Sequence, residues 1–367
     1  VYNVVREILD EMAKYNLYIS LFPEEAKKQG KRTIFTNFPE SLAIPYKWDY
    51  KIAKSFLYKI SEYISPKDSE RRVIHFVNPA FKEMKPFDTL AIAPTLTGGL
   101  QLIKNGEIAP AHQHTPVNLR LILEAPKEGA YIVYDNYKMS LEVGDVLVQS
   151  NWTLHEHHNE GKSDLIWFSG LDSPFLLYLG AIFYYRIEEK FQKSEDGEFL
   201  IDTLGSSLKP ITLYFQSYNP LIKYSFSRTR KALFELAEHN KEDENEGVVI
   251  EYLNPANGGP ALPTISIKMR LINPRVELKP LRSTENLILI PIEGNISVDI
   301  IESNIGKLWV NLNTYDPIIV PSWTKYRIIN NDEKPAIVFS YSDEPIFKAF
   351  GLYKKEKYTK LFLICIN

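Results

Sequence analysis

His112-Gln113-His114, answered further along by His155 in Trp152-Thr-Leu-His155-Glu-His157-His158-Asn159, constrains the fold of this chain more than any other stretch. Side chains on a β-strand alternate between its two faces, so imidazoles two residues apart point the same way. A third imidazole from a neighbouring strand would complete a facial set of three neutral ligands around one divalent metal. Of the seven histidines in the chain, five lie in these two short stretches. Such clustering implies a metal-dependent enzyme built on a β-barrel.

The rest of the sequence is organised in a way that can supply such a barrel. Val4, Val5, Ile8, Leu9 and Met12 have helical spacing, as do Ile52, Phe56, Leu57, Ile60 and Ile64, the second set closed by Pro66. They predict a helical N-terminal arm over residues 1–66. From Arg71 to Phe168 the pattern changes to short apolar or alternating runs such as Leu119–Leu123, Ala130–Tyr134 and Leu165–Phe168, separated by turn residues. Evenly spaced short strands argue for a sandwich or small barrel, placed here at 67–185. A mixed region with one clear helix near Arg228–His239 and the charged stretch Lys241-Glu-Asp-Glu-Asn-Glu-Gly247 reads as a linker over 186–247, solvated at its acidic end. A second all-β block follows over 248–367. Gln149-Ser-Asn-Trp152-Thr in the first block and Val320-Pro-Ser-Trp323-Thr in the second share a local order, which we read as internal duplication of one barrel. The apolar tail Leu361–Ile366 needs cover, as an added strand or at a subunit interface.

Composition removes several function classes. A length of 367 residues can bury large cores, and 44% hydrophobic with 24% charged residues is ordinary for a globular protein. A net charge of −3 makes no case for nucleic acid or an anionic membrane as partner. The single cysteine, Cys365, excludes an internal disulfide framework and fits a reducing compartment, so the cytoplasm is expected. No stretch reaches the ~18 uncharged apolar residues of a membrane helix, and Val1–Tyr15 carries charges throughout, unlike a secretory signal.

At the histidine stretches the chain resembles a bicupin, and specifically the gentisate 1,2-dioxygenase family, which includes salicylate and 1-hydroxy-2-naphthoate ring-cleaving dioxygenases. The first cupin motif is similar to Gly106-x5-His112-x-His114, and the second to Gly144-x5-Ser150-x-Trp152-x2-His155-x3-Asn159. More specific are Pro110-Ala-His112-Gln-His114-Thr-Pro116 with Arg120 downstream, and Trp167-Phe-Ser-Gly-Leu-Asp172-Ser-Pro174. Tyr46-Lys-Trp48, Arg71-Arg-Val73, Thr95-Leu-Thr-Gly-Gly99-Leu-Gln101 and Asn254-Pro-Ala-Asn-Gly-Gly-Pro-Ala-Leu-Pro-Thr264 extend the likeness over nearly the whole chain. The fold it implies is mainly β: two double-stranded β-helix (jelly-roll) barrels with a helical N-terminal arm. There are departures. Leu281, Ser283 and Tyr326 stand in the second barrel where related chains often carry histidines, so that barrel is read as metal-free. Gln113 replaces a usual Arg, Thr97 a common Trp, and Ser169 an Asp.

The resemblance implies Fe(II) on His112, His114 and His155, and cleavage of a small aromatic carboxylic acid by O2 between its carboxyl- and hydroxyl-bearing carbons. Gentisate is the leading substrate, with salicylate and hydroxynaphthoate next. A facial set of three ligands leaves up to three positions open, enough for a chelating acid and O2. Arg120 lies an even number of residues after His112 and so faces inward with it. A guanidinium can hold a carboxylate through two parallel hydrogen bonds, the use the family makes of the matching Arg. His157 is expected on the substrate hydroxyl, Gln101 as a polar wall, and Arg72, rather than Arg71, as a second anion anchor. Arg120 could instead be a structural partner of Glu124, and His75 is expected to be structural or solvated. A homo-oligomer, tetramer or dimer, is implied as well. Two competing readings of the same residues are a metal cupin that is an isomerase or hydrolase rather than an oxygenase, and a cupin that binds a small acid without catalysis.

Overall fold

The structure is a computed structural model that describes the chain except Val1, Arg32, Ile34, Lys67, Glu70, Arg71, Asn367 and residues 188–191, 213–216 and 359–362. Two units are distinguished, Val1–Glu40 and Ser41–Asn367. The smaller holds the helices Tyr2–Lys14 and Pro23–Gln29. Pro23 opens the second, where its missing N–H costs nothing, and Gly30 closes it in the left-handed conformation (φ 62°) that suits glycine.

The larger unit contains two barrels of matching strand order, antiparallel except where the edge strand Glu195–Asp196 pairs in parallel with Tyr137–Ser140. In the first barrel one sheet runs Lys223–Tyr224, Val146–Gln149, Asn118–Glu124, Leu165–Leu171, Gly99–Ile103, Ile74–His75. Its facing sheet runs Tyr184–Arg186, Ile108–His114, His155–Asn159, Ala130–Tyr134, Tyr137–Ser140, Glu195–Asp196. The second barrel repeats this with Tyr46–Lys47, Ile318–Val320, Leu287–Glu293, Ala336–Ser342, Ser266–Ile272, Val248–Glu251 in one sheet. Opposite lie Leu308–Leu312, Ile296–Glu302, Lys325–Asn330, Leu281–Ser283, Lys355–Tyr358 and Leu363–Ile366. The architecture is a bicupin. Its duplication reaches individual bonds. Trp152 and Trp323 both adopt positive φ, and their amides donate to the carbonyls of His114 and Ser283. Asn159 and Asn330 each tie their amide nitrogen to the carbonyls of Ile103 and Ser163, and of Ile272 and Lys334.

Strand periodicity decides what each barrel buries. Ile103, Ile122, Leu165 and Trp167 fill the first barrel, and Leu287, Leu289, Val298 and Val338 the second. The alternate residues of the same strands point outward: Leu119, Leu121, Leu123, Ile166 and Phe168 from the first, Ile267, Met269, Ile288, Ile290 and Phe339 from the second. They merge into one apolar layer between the barrels, the largest core of the molecule. Sheets buried on both faces lose the polar alternation of a half-exposed strand, which is why Leu287–Glu293 reads as an almost continuous apolar run.

Segments outside the barrels in sequence are stitched into them. Tyr46–Lys47 from the expected arm adds an edge strand to the second barrel, and the helix Tyr50–Ser61, capped by Asp49 on the Ile52 amide, sits across both. Its Tyr50 amide donates to Asp316 of the second barrel and its Tyr50 hydroxyl to Glu124 of the first, at 2.9 and 2.7 Å. Glu124 also takes Lys54, so it is engaged by this helix and not by Arg120. The acidic stretch after Lys241 is docked rather than solvated. Lys357 reaches Asp243 and Lys355 reaches Glu246, each at 2.6 Å, and Asn245 is buried. Burial would raise the Glu246 carboxyl, but the cations of Lys355 and Arg270 outweigh it and hold it near about 2. In the tail, the backbone of Leu363–Ile366 pairs antiparallel with Lys355–Tyr358.

Candidate metal centre and its cavity

The strands Ile108–His114 and His155–Asn159 lie side by side, with His155 opposite His112 and a register shift between His155 and His157. All three imidazoles of His112, His114 and His155 are buried, and each can offer a ring nitrogen to a point where the three atoms lie within 4.8 Å of one another. Among the described residues this is the one group of three or more His, Cys, Asp or Glu side chains so placed. Their tautomers follow from the backbone. Nδ1 of His112 faces the Pro110 carbonyl at 3.1 Å, Nδ1 of His114 that of Pro116 at 2.8 Å, and Nδ1 of His155 that of Thr153 at 3.0 Å. A carbonyl oxygen has only lone pairs to offer, so each Nδ1 carries the proton and each Nε2 carries the lone pair. Three neutral imidazoles oriented by outer hydrogen bonds are a donor set that fits a divalent transition metal. The Gln149 amide nitrogen lies 3.3 Å from His114 Nε2, in keeping with Nε2 as an acceptor.

Behind the ligands the barrel is polar. Arg120, buried to 1% exposure, donates through Nη1 to the Tyr134 hydroxyl and through Nη2 to Gln149 Oε1 at 2.9 Å. Its charge therefore lies one side chain away from His114. His157 stacks on Trp167 with ring centroids 4.8 Å apart, and Trp167 Nε1 donates to Gln101 Oε1 at 2.7 Å. His112 and His155, centroids 4.2 Å apart, are flanked by Tyr184 at 5.5 Å from His112.

A cavity of about 200 Å³ opens beside His114, walled by His75, Thr97, Gly99, Gln101, Asn118 and Ser169. Ser169 donates to Asn118 Oδ1 at 2.7 Å, so two small polar groups share one wall. Thr97 and Ser169, two of the three departures from the family pattern, both line this space. Gln113, the third, is on the opposite face of its strand from the ligands. Its Cα is paired with Tyr185 on the edge strand.

The structure thus gathers His112, His114, His155, His157, Arg120 and Gln101 in one barrel interior. Arg72 is elsewhere. Its guanidinium makes a two-armed pair with Glu107 and donates through Nε to the Ile64 carbonyl at 2.6 Å, so its charge is already matched by a carboxylate. Burial works to raise Glu107, but the Arg72 hydrogen bonds and the Lys104 amide outweigh it and hold the carboxyl below its usual range. The expectation of a second anion anchor is corrected accordingly. The sequence reading does not single out Tyr134, Gln149 or Asn118, and His75, expected to be structural or solvated, stands in the cavity wall. Gln149 could have been found as the polar end of the apolar run Val146–Val148, and Asn118 by its even spacing from Arg120.

Two buried aspartates tie this site to the second barrel. Asp172, at the end of the strand Leu165–Leu171, accepts from the Val117 amide at 2.9 Å and from the Thr264 hydroxyl at 2.7 Å. Asp343, its counterpart, accepts from the Asn286 amide at 2.7 Å and from the Thr95 hydroxyl. Each barrel thus lends a threonine to the other's aspartate. Burial pushes both carboxyls up to about 6 in spite of these donors.

No family model matches the chain. Among curated proteins it is 29% identical over 327 residues to gentisate 1,2-dioxygenase 1 of Aquipseudomonas alcaligenes, covering 88% of this chain and 90% of that one. Over most of its length the chain is similar to gentisate 1,2-dioxygenases. It is also 28% identical over 323 residues to 1-hydroxy-2-naphthoate 1,2-dioxygenase of Nocardioides sp. strain KP7, covering 87% and 80% of the two chains. Among solved structures, the salicylate 1,2-dioxygenase of Pseudaminobacter salicylatoxidans superposes with a TM-score of 0.80 at 23% identity over 96% of this chain and 97% of that one, a likeness of fold. The two barrels differ at their centres. Leu281 is paired with Tyr326 as His112 is with His155, so apolar and phenolic side chains take the ligand positions of the second barrel.

Proposed function

We propose that the protein is a non-haem iron(II) dioxygenase that opens the ring of gentisate or a related salicylate-like acid between its carboxyl- and hydroxyl-bearing carbons, adding both atoms of O2. The observation that carries this reading is the set of three backbone-fixed imidazoles, one of which, His114, lines a cavity of about 200 Å³. His112, His114 and His155 would hold the iron. When bound, iron(II) supplies Lewis acidity toward the acid and redox chemistry with O2, and an all-neutral ligand set leaves its charge to attract an anionic substrate.

The residues around the site bind and orient. Arg120, always cationic and held rigid by Tyr134 and Gln149, attracts the carboxylate toward the buried end. Gln101, whose oxygen accepts from Trp167 Nε1, forms a polar wall against which the acid would lie. His157, kept flat against Trp167, is placed to exchange a proton with the ring hydroxyl. We further propose a homo-oligomer, tetramer or dimer. The exposed apolar run that includes Tyr178, Leu179, Phe183, Tyr184 and Tyr185 supports it, because its edge strand would otherwise present apolar side chains to water. No described helix is long and apolar enough to cross a membrane, and we assign the protein to the cytoplasm on its single cysteine.

The test is O2 uptake by protein loaded anaerobically with iron(II) and offered gentisate, salicylate and 1-hydroxy-2-naphthoate in turn, with product followed by ultraviolet absorbance. One O2 consumed per ring opened is expected. Bound iron with no uptake on any of the three acids would refute the proposal.

A further inference from the structure

The second barrel holds no histidine cluster among its described residues, yet one of its side chains reaches the wall of the first barrel's cavity. Tyr341 lies in the strand Ala336–Ser342, is 1% exposed, and donates from its hydroxyl to the Thr97 carbonyl at 2.7 Å. Thr97 and Gly99 line the cavity, and Gly98 lies between them. This wall is almost without side chains of its own to pack. A Cβ on Gly99 would stand 2.7 Å from the Ile74 carbonyl oxygen, and one on Gly98 would stand 2.9 Å from Ile92 and 3.0 Å from the Tyr341 hydroxyl. Glycine is enforced at both positions, and two successive glycines leave the backbone its widest freedom.

What fixes the wall must therefore come from neighbours. The Leu171 amide donates to Thr97 Oγ1 at 3.0 Å and the Phe76 amide to the Gly98 carbonyl at 2.7 Å, both from within the first barrel. Tyr341 is the anchor from outside it. The site is shaped to admit it, because a Cβ on Gly170 would stand 2.9 Å from Tyr341 Cε2. The arrangement is one-sided. Ser169 pairs with Gly99 as Ser340 pairs with Lys268, so Gly170 and Tyr341 occupy like positions in the two barrels. At the place of Gly99 the second barrel has Lys268, bonded to Glu344.

We propose that Tyr341 is a positioning residue through which the second barrel sets the place of the Thr97–Gly99 wall, and with it which aromatic acid fits against His114. The selectivity half of this inference rests on the function proposed above; the wall itself does not. Burial raises the Tyr341 hydroxyl well above its ordinary value, so it stays a neutral donor across the working pH range.

The test compares the full chain with Tyr341→Phe, which keeps the ring and removes the hydroxyl, and with Gly170→Ala, which presses on the same ring from the first barrel. Two readouts are taken: amide hydrogen exchange of the Thr97–Gly99 segment, and Kd of salicylate and of gentisate for iron(II)-loaded protein kept free of O2. Faster exchange in that segment is expected in both variants at unchanged iron content. With it should come a change of about three- to tenfold in the salicylate-to-gentisate Kd ratio, the scale of one buried hydrogen bond. Unchanged exchange overturns the inference whatever the protein's function. A Kd ratio within twofold of wild type, with exchange altered, overturns the role in selectivity. A wild type that binds neither acid overturns the proposed function and the selectivity half together, and exchange then decides the wall.

Discussion

Replacing Asp172 by Asn should leave the protein more stable relative to wild type as the pH rises, the reverse of the usual behaviour of a lost carboxylate. The unfolded chain releases the Asp172 proton near 3.8 and the folded protein near about 6. Between these values the folded state holds a proton that the unfolded state has given up. The stability tied to this group is therefore fully present below 3.8 and is lost as the pH climbs through about 6. The gap of roughly two pH units corresponds to ~3 kcal/mol at neutral pH. Asn does not titrate. Its Oδ1 can still accept from the Val117 amide and its Nδ2 can donate to the Thr264 hydroxyl oxygen, so the contact itself survives. Guanidinium unfolding of wild type and Asp172→Asn at pH 4, 5, 6 and 7 measures the effect. The difference in stability should move in favour of the variant by about 2–2.5 kcal/mol across this series, the remainder of the effect lying below pH 4. A difference that stays constant, or moves the other way, would show that the carboxylate is ionised at little cost and would refute the argument from burial.

Three other perturbations follow from the geometry. His155→Ala removes the ligand supplied by the neighbouring strand; purified protein should lose iron to below a tenth of wild-type content, and full retention by elemental analysis would sink the site. Arg120→Ala should keep its iron while KM for the acid rises at least ~100-fold or turnover disappears, the scale of a charge-assisted bidentate contact, and unaltered kinetics would remove Arg120 from the mechanism. Gly99→Ala places a Cβ 2.7 Å from the Ile74 carbonyl; thermal unfolding should report a loss of ~1–3 kcal/mol, and a melting temperature equal to wild type would mean that the two strands part freely.

The duplication was legible because the two blocks repeat a local order of loops and turns, and the meeting of His112, His114 and His155 because strand alternation is displayed directly in a sequence. Arg120 facing inward followed from the same parity. What parity cannot give is the partner of a long side chain. Arg72 was expected at the substrate, but it meets Glu107, 35 residues further along the chain. The stretch after Lys241 looked solvated because its charges are visible in the sequence while Lys355 and Lys357, which neutralise them, lie in a strand more than a hundred residues away. The Tyr341 contact was invisible for a related reason: alternation says that it points out of its own barrel, not whose backbone it finds.

That the largest apolar layer lies between the barrels has a consequence for how such a chain could arise and diverge. A lone barrel of this kind would present Leu119, Leu121, Phe168 and their neighbours to water, and would find cover only against another copy of itself. Fusion in tandem makes that encounter intramolecular and permanent. From then on the outward faces are bound to each other's shape, while the inside of one barrel is released from chemistry. Leu281, Ser283 and Tyr326 use that freedom: they put apolar, hydroxyl and phenolic side chains at the centre of a barrel whose outer surface its twin depends on.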